Sequence, residues 1–459
     1  MIHRYQKKGL NFVLDVNSGA VHLLDDISYA VSGLLDENMG DTCPQSVIDA
    51  LPDYTADENR EAYDELYELK KAVQLFAQDD YIDVSRYIPV NAPVKALCLH
   101  VAHDCNLRCK YCFASTGDFG QGRKIMPPEI AKKAIDFVIA RSGVRHNIEV
   151  DFFGGEPLMA WDTVTQTVDY ARSLEEKHNK KFRFTITTNG LLLDEDKRKY
   201  INENMDNCVL SLDGRREVND EFRKTVAGTG SYDTIVPKFK ALVDERDPNL
   251  DYYARGTFTS HNLDFAEDVL SIADAGFDRL SVEPVTADPG CGYDLTEDDL
   301  PKIEAEYDRL TDIMLERKKE GKPFTFFHFM VDLDQGPCVV KRLRGCGAGY
   351  EYVAVTPDGD IYPCHQFVGK DEFKQGSVLD QSFNMDIAQK FAGMNIYSRP
   401  KCQKCWAKFY FSGGCSAANY NMNHDMNDSY DLGCEMERKR LECAIYLKAM
   451  DKICANQSK

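Results

Sequence analysis

Between residues 92 and about 325, strand-like and helix-like segments alternate six times, and this alternation restricts the fold more than any other feature of the chain. The strand-like runs are Val94–Val101, Ile148–Phe153, Phe182–Thr187, Val209–Leu212, Tyr252–Thr259 and Arg279–Pro284. Helical patterns fall near 128–141, 161–177, 194–204, 232–246 and 264–275, with a longer one near 297–320. Repeated strand-then-helix units build a parallel sheet with crossover helices. Six units fall short of the eight that close a barrel, so a partial (β/α)6, TIM-like α/β barrel is predicted, open on one side for a large substrate. Its chemistry belongs in the loops at the carboxyl ends of the strands.

On either side of this zone the composition changes. Residues 1–90 hold one cysteine, Cys43, whereas residues 335–434 are dense in Cys, Gly, Tyr and Phe. Asn11–Val16, an Asn-Ser-Gly turn and Ala20–Leu24 predict a hairpin, followed by a helix capped at Asp26 and a charged helix over 57–78. About 85 residues of this kind read as a small independent domain, or else as an N-terminal extension of the next one. The whole chain carries a net charge of −20. That disfavours nucleic acid, which needs clustered Lys and Arg. No apolar run of membrane-spanning or signal-peptide length is present. A cytoplasmic protein is expected, and in that compartment 16 cysteines point to metal or cluster ligation rather than disulfides.

The first strand leads into Cys105, Cys109 and Cys112, spaced C-x3-C-x2-C. A [4Fe–4S] cluster usually takes four thiolates, so three leave one iron able to chelate a small molecule with adjacent amino and carboxylate groups. Spacing alone also admits a zinc knuckle or a cluster completed elsewhere. After the second strand comes Gly154-Gly155-Glu156-Pro157, where glycines permit close backbone approach and a carboxylate receives an ammonium. The third and fourth strands end at Thr187-Thr188-Asn189 and Ser211-Leu212-Asp213. Together with Tyr111 before the third cysteine, these segments resemble the radical S-adenosylmethionine superfamily. The resemblance implies that Cys105, Cys109 and Cys112 hold the radical-generating cluster. It implies that Gly154, Gly155, Glu156, Thr187, Asn189, Ser211, Asp213 and Arg223 contact S-adenosylmethionine. Arg223 and Arg255 are candidates for its carboxylate, or for surface salt bridges.

Further on, Gly359 to Cys364 reads G-x4-C and Cys402 to Cys405 reads C-x2-C. This zone resembles the SPASM extension, whose usual order is two cysteines, G-x4-C, C-x2-C-x5-C-x3-C and a last cysteine. Two auxiliary [4Fe–4S] clusters are implied, three clusters in all. Carried across, Cys338, Cys346 and Cys364 serve the first, and Cys402, Cys405, Cys415 and Cys434 the second. Asn419, four past Cys415, then stands where the first cluster's fourth thiolate belongs. Cys98 and Cys208 read as core, and Cys443 and Cys454 as packed on a C-terminal helix, with Cys443 a possible eighth ligand. Cys291 follows the sixth strand and is a candidate for the active site, and His365 for proton exchange or a cluster-side hydrogen bond.

Over its whole length, from MIHRYQKKGLNFVLDVNSGAVHLLDD through the SPASM cysteines, the chain resembles the maturases of SCIFF peptides, six-cysteine peptides of ribosomal origin. This implies four segments: a winged-helix-like peptide-recognition domain at 1–90, a radical barrel at 91–330, a SPASM domain at 331–440 and a C-terminal helix at 441–459. It implies a precursor-peptide partner with an N-terminal leader, bound by strand addition, and a cysteine-rich core. It also implies a reducing electron donor such as flavodoxin or ferredoxin. The implied reaction joins a cysteine sulfur to an unactivated carbon of the same peptide. Alternatives are an anaerobic sulfatase maturase, which oxidises Ser or Cys to formylglycine, an iron–sulfur electron-transfer protein and a non-catalytic peptide carrier.

Overall fold

The computed structural model describes residues 1–83, 92–333 and 339–457. Its centre is a parallel run of strands: β4 (Ala96–His103), β6 (Asn147–Gly154), β7 (Lys181–Thr188), β8 (Asn207–Ser211), β9 (Asp251–Phe258) and β10 (Arg279–Pro284), hydrogen-bonded in that order. These are the six predicted strands, each within two residues of its expected ends. All eight residues of β4 are buried, which explains why it reads as a continuous apolar run rather than an alternating one. The covering helices bury one stripe each. Pro128–Arg141, for example, turns Ala131, Ala134, Ile135, Phe137 and Val138 inward. The long helix Leu300–Lys319 follows a short 3-10 turn at Glu297–Asp299.

Two extensions were not legible in the sequence. The short β5 (Lys124–Ile125) pairs antiparallel with the end of β4, and β11 (Thr325–Phe326) adds a parallel edge beside β10. On the other flank, β12 (Tyr352–Val355) pairs in parallel with β4, and β13 (Asp360–Tyr362), β14 (Gly376–Ser377) and β15 (Ser382–Phe383) follow antiparallel. The cysteine-rich zone therefore continues the barrel sheet and is not a bead on a linker. The final helix, Asp431–Gln457, runs unbroken through the boundary predicted at 441.

The N-terminal unit is a three-stranded antiparallel sheet, β1 (Ile2–Lys7), β2 (Leu10–Asp15) and β3 (Val21–Leu24), with helices Asp26–Ser32, Gln45–Ala50 and Ala56–Lys71. The hairpin was predicted; β1 was missed. The cap of the first helix is Asp25, whose side chain accepts from Ser28 N, and not Asp26. The helix expected to reach 78 stops at Lys71, and positive φ at Val73 and Phe76 turns the chain back.

The unit packs against the rest of the chain. Phe12 and Leu14, fully buried, pack with Ile445 and Tyr446 of the last helix, while Val16 packs with Ile396, Cys402 and Phe409. Among the described residues no helix is long and apolar enough to cross a membrane.

Candidate active site and cysteine groups

The loop after β4 is held at both ends. Arg108 N donates to Lys224 O at 2.7 Å and Lys110 N to Phe222 O at 3.2 Å, tying it to the segment beyond β8. Beneath it runs the end of β6, where Gly155 N donates to Ala102 O at 2.8 Å and Glu156 N to Asp104 O at 2.9 Å. Gly154 has φ +126°, and a Cβ on Gly155 would collide with the Asp104 carbonyl. The pair is glycine because the cysteine loop lies directly on this backbone.

These elements enclose a cavity of about 240 Å3. Cys105, Cys109 and Cys112 line it, as do Gly154, Gly155, Glu156, Thr187, Asn189, Ser211 and Arg223 of the predicted set. Glu156 is fully buried and accepts from Asn189 N at 2.7 Å, Thr188 Oγ1 at 2.8 Å and Leu158 N at 3.0 Å. Burial still pushes its carboxyl up to about 7, so it is poised for a cation. Asn189 Nδ2 donates to Asn106 Oδ1 at 2.8 Å and reaches Cys105 Sγ at 3.5 Å, linking the carboxylate shell to the cysteine loop. Burial pushes the Cys105 and Cys109 thiols up to about 12, a cost that bound iron would remove by stabilising the thiolates.

Asp213 departs from its expected role. It is fully buried, accepts from Tyr111 Oη at 2.6 Å and Thr257 N at 3.1 Å, and pairs with Arg223 at 3.0 Å. It does not line the cavity; it positions Tyr111 and Arg223 from behind. Arg255 lines the cavity paired with Glu283, which sequence reasoning missed along with Phe113 and Phe153. His365 also lines it, flanked by Phe113 and Phe153, with Tyr352 Oη 3.5 Å from its Nδ1. Burial lowers its ring to about 4, so it is neutral near pH 7. Cys291 is exposed against Asp294 and does not line the cavity.

The SPASM-zone cysteines divide differently from the expected sets. Cys402, Cys405 and Cys434 line one cavity of about 280 Å3. Cys415 is not with them. Its thiol neighbour is Cys346, and both stand beside the buried Cys364, whose thiol is raised by burial and then by these two. The turn Ser412-Gly413-Gly414, with positive φ throughout, carries Cys415 away from the first pair to cap helix Ser416–Asn423.

Arg399 stands between the groups, with Cys402, Cys415, Cys346 and Cys434 all near its charge. Cys338 lies outside the described residues. Asn419 marks no vacant ligand position: its Nδ2 donates to Gly413 O and Met426 O, and its Oδ1 accepts from Tyr430 N, so it ties loops together. Cys443 is buried against Lys7 Nζ at 3.4 Å and Asp308 at 3.7 Å, and it lines neither cysteine cavity.

A signal for this division was present in the sequence. Counting x5 and x3 from Cys405 lands on Phe411 and Cys415, so the missing cysteine is at 411 and not at 419.

Among the described residues no three Cys, His, Asp or Glu side chains converge on a single-ion site. Cys105, Cys109 and Cys112 line one cavity and Cys402, Cys405 and Cys434 another, a donor set suited to iron–sulfur clusters. The model of the radical SAM superfamily matches residues 99–251, and that of the SPASM iron–sulfur cluster-binding domain matches residues 346–406. The chain carries a radical SAM domain followed by a SPASM domain. Its barrel and C-terminal sheet are thus the radical SAM fold and its extension.

It is 25% identical over 355 residues to a cysteine-type anaerobic sulfatase-maturating enzyme of Clostridium novyi, covering 72% of this chain and 90% of that one. The native structure of anSMEcpe with bound AdoMet superposes with a TM-score of 0.65 at 21% identity, covering 80% of this chain and 100% of the other. Streptococcus suis SuiB bound to S-adenosylmethionine gives 0.53 at 17% identity, covering 93% and 97%.

Proposed function

We propose that this enzyme forms thioether crosslinks in a ribosomally made six-cysteine precursor peptide. The observation that carries the reading is the group Cys402, Cys405 and Cys434: with Phe411 at the position of the usual fourth cysteine, three thiols leave one coordination place for a sulfur from outside.

In this reading Cys105, Cys109 and Cys112 hold the radical-generating cluster. Cys346, Cys364 and Cys415, with Cys338, hold a fully ligated auxiliary cluster, and the three-thiol group holds the third. When bound, the first cluster and S-adenosylmethionine supply a 5′-deoxyadenosyl radical. The chain's own residues do the rest. Glu156 receives the cofactor's ammonium, and Arg223, fixed by Asp213, faces its carboxylate. Phe113 and Phe153 wall the reacting carbon from water.

For each crosslink the acceptor carbon gives a hydrogen atom to the adenosyl fragment, the cysteine gives a proton to solvent, and the C–S bond forms. That step releases one electron, which clusters held by Cys346, Cys364 and Cys415 or by Cys402, Cys405 and Cys434 would accept, and a flavodoxin- or ferredoxin-type donor would reduce the cluster at Cys105, Cys109 and Cys112. The N-terminal unit suits a leader peptide: β3 has β2 on one side and, among the described residues, no strand on the other. The SuiB fold has also been solved bound to a precursor peptide, SuiA.

A cytoplasmic setting accords with thiols that, among the described residues, form no disulfide. Mass spectrometry of a co-expressed cysteine-rich precursor tests the reading. Each crosslink removes two hydrogens and adds no atom, whereas formylglycine from cysteine loses sulfur and gains oxygen. A formylglycine product would turn the assignment to sulfatase maturation.

A further inference from the structure

A larger cavity of about 490 Å3 lies between the two sites just described. It shares Glu283, Pro284, Val285 and Thr286 with the cofactor cavity, and Phe411 with the three-thiol cavity. The middle space therefore borders both others, across Glu283–Thr286 on one side and Phe411 on the other, with Cys415 also on its wall.

The middle space opens to solvent beside Phe327 and Met330, 49% and 59% exposed, which place two large apolar side chains at its mouth. Deeper in, Met436 continues the apolar lining. Arg440, 8% exposed, pairs with Glu437 and reaches His328 Nδ1 at 3.1 Å, but its Nε–H has no acceptor. A buried donor left unpaired is costly, and a backbone carbonyl would satisfy it.

Resting on the reading above, we infer that the middle cavity binds the stretch of substrate peptide between its acceptor residue and its sulfur-donating cysteine, with Phe411 as the partition before the three-thiol site. An extended backbone supplies the carbonyl for Arg440 and apolar side chains for Phe327 and Met330. One end passes over Glu283–Thr286 to the cofactor. The other brings a thiol past Phe411. A cysteine at 411 would have closed the third site with a fourth thiolate; the phenyl ring leaves it unclosed but screened from solvent thiols.

The test uses the full-length, iron-reconstituted protein with Cys105, Cys109 and Cys112 all changed to Ala, so that only the auxiliary clusters give a spectrum. The probe is the synthetic peptide acetyl-Ala-Gly-Cys-amide, with its Ser analogue as control. The Cys peptide is expected to shift the low-temperature EPR spectrum of the reduced protein, and the Ser peptide to leave it unchanged. Ala418→Phe, on a half-buried helix position facing the cavity, should raise the half-saturating concentration about tenfold, and Phe411→Ala should lower it by a similar factor. Phe411→Cys should abolish the shift.

The inference is overturned if Ala418→Phe, with the parent's iron content, binds the Cys peptide as the parent does, or if Phe411→Cys retains the shift. Because this readout needs no product, the two readings fail separately: a co-expressed precursor that is never crosslinked, with the probe's spectral shift intact, would refute thioether formation and leave the cavity assignment standing. Crosslinking by the wild type with no spectral shift would do the reverse.

Discussion

At the residue scale, the three loop cysteines and Glu156 bear the sharpest consequences. Changing Cys105, Cys109 and Cys112 together to Ala should remove about four irons per chain and abolish 5′-deoxyadenosine production, with the C-terminal clusters retained. Iron analysis and product chromatography check this.

Glu156 gives a pH signature in the apo protein. Burial raises its folded pKa to about 7 from an ordinary value of 4.5. The stability it contributes as a neutral acid is therefore complete below the unfolded value and lost as pH rises through about 7. That loss is on the order of 3 kcal/mol, visible in denaturation midpoints between pH 4.5 and 7. Glu156→Gln should flatten the slope across that window and abolish S-adenosylmethionine binding, measured by calorimetry. A variant keeping both the slope and the affinity would remove Glu156 from the site.

At the element scale, the seat of the cysteine loop is the end of β6. Any Cβ at position 155 meets the Asp104 carbonyl, which is backbone and cannot rotate away. Gly155→Ala should therefore displace the loop carrying Cys105, at a cost on the order of 1–3 kcal/mol from the forced shift. It should lower the iron retained at the radical site while leaving the auxiliary clusters intact, as Mössbauer spectroscopy would show. Gly122, with open space around its Cβ position, is the control: Ala there meets nothing, and only its positive φ opposes the change.

At the scale of the whole molecule, the N-terminal unit is a wall of the SPASM region. Removing residues 1–83 would uncover Ile445, Tyr446, Phe409 and Cys402, now packed under Phe12, Leu14 and Val16. Each of those three side chains, fully buried, is worth about 1.5–3 kcal/mol. The truncated chain should thus lose iron from the Cys402, Cys405 and Cys434 site and melt at lower temperature, besides losing leader binding. A truncation with full iron content and an unchanged melting temperature would restore the independent-domain view.

The sequence by itself determined the parallel sheet and the cofactor cavity. Both follow from local rules: strand–helix periodicity sets the sheet, and short motifs at consecutive strand ends must meet because adjacent parallel strands finish at the same edge. Cys105, Gly154 and Asn189 belong to three such ends, so chain order alone brought them together.

Where a side chain's direction depended on a turn, the sequence was insufficient. Asp213 reads like Ser211, two residues earlier, yet it is drawn behind the cavity by Tyr111 and Arg223, and only tertiary contacts choose between those directions. Cys415 was assigned to the wrong group because three left-handed residues at 412–414 reverse the chain before it. The docking of Phe12 and Leu14 on a helix more than 400 residues away leaves no periodic trace beyond an apolar strand. Tertiary structure alone decided these cases, because burial is set by the partner surface, and the partner lies elsewhere in the chain.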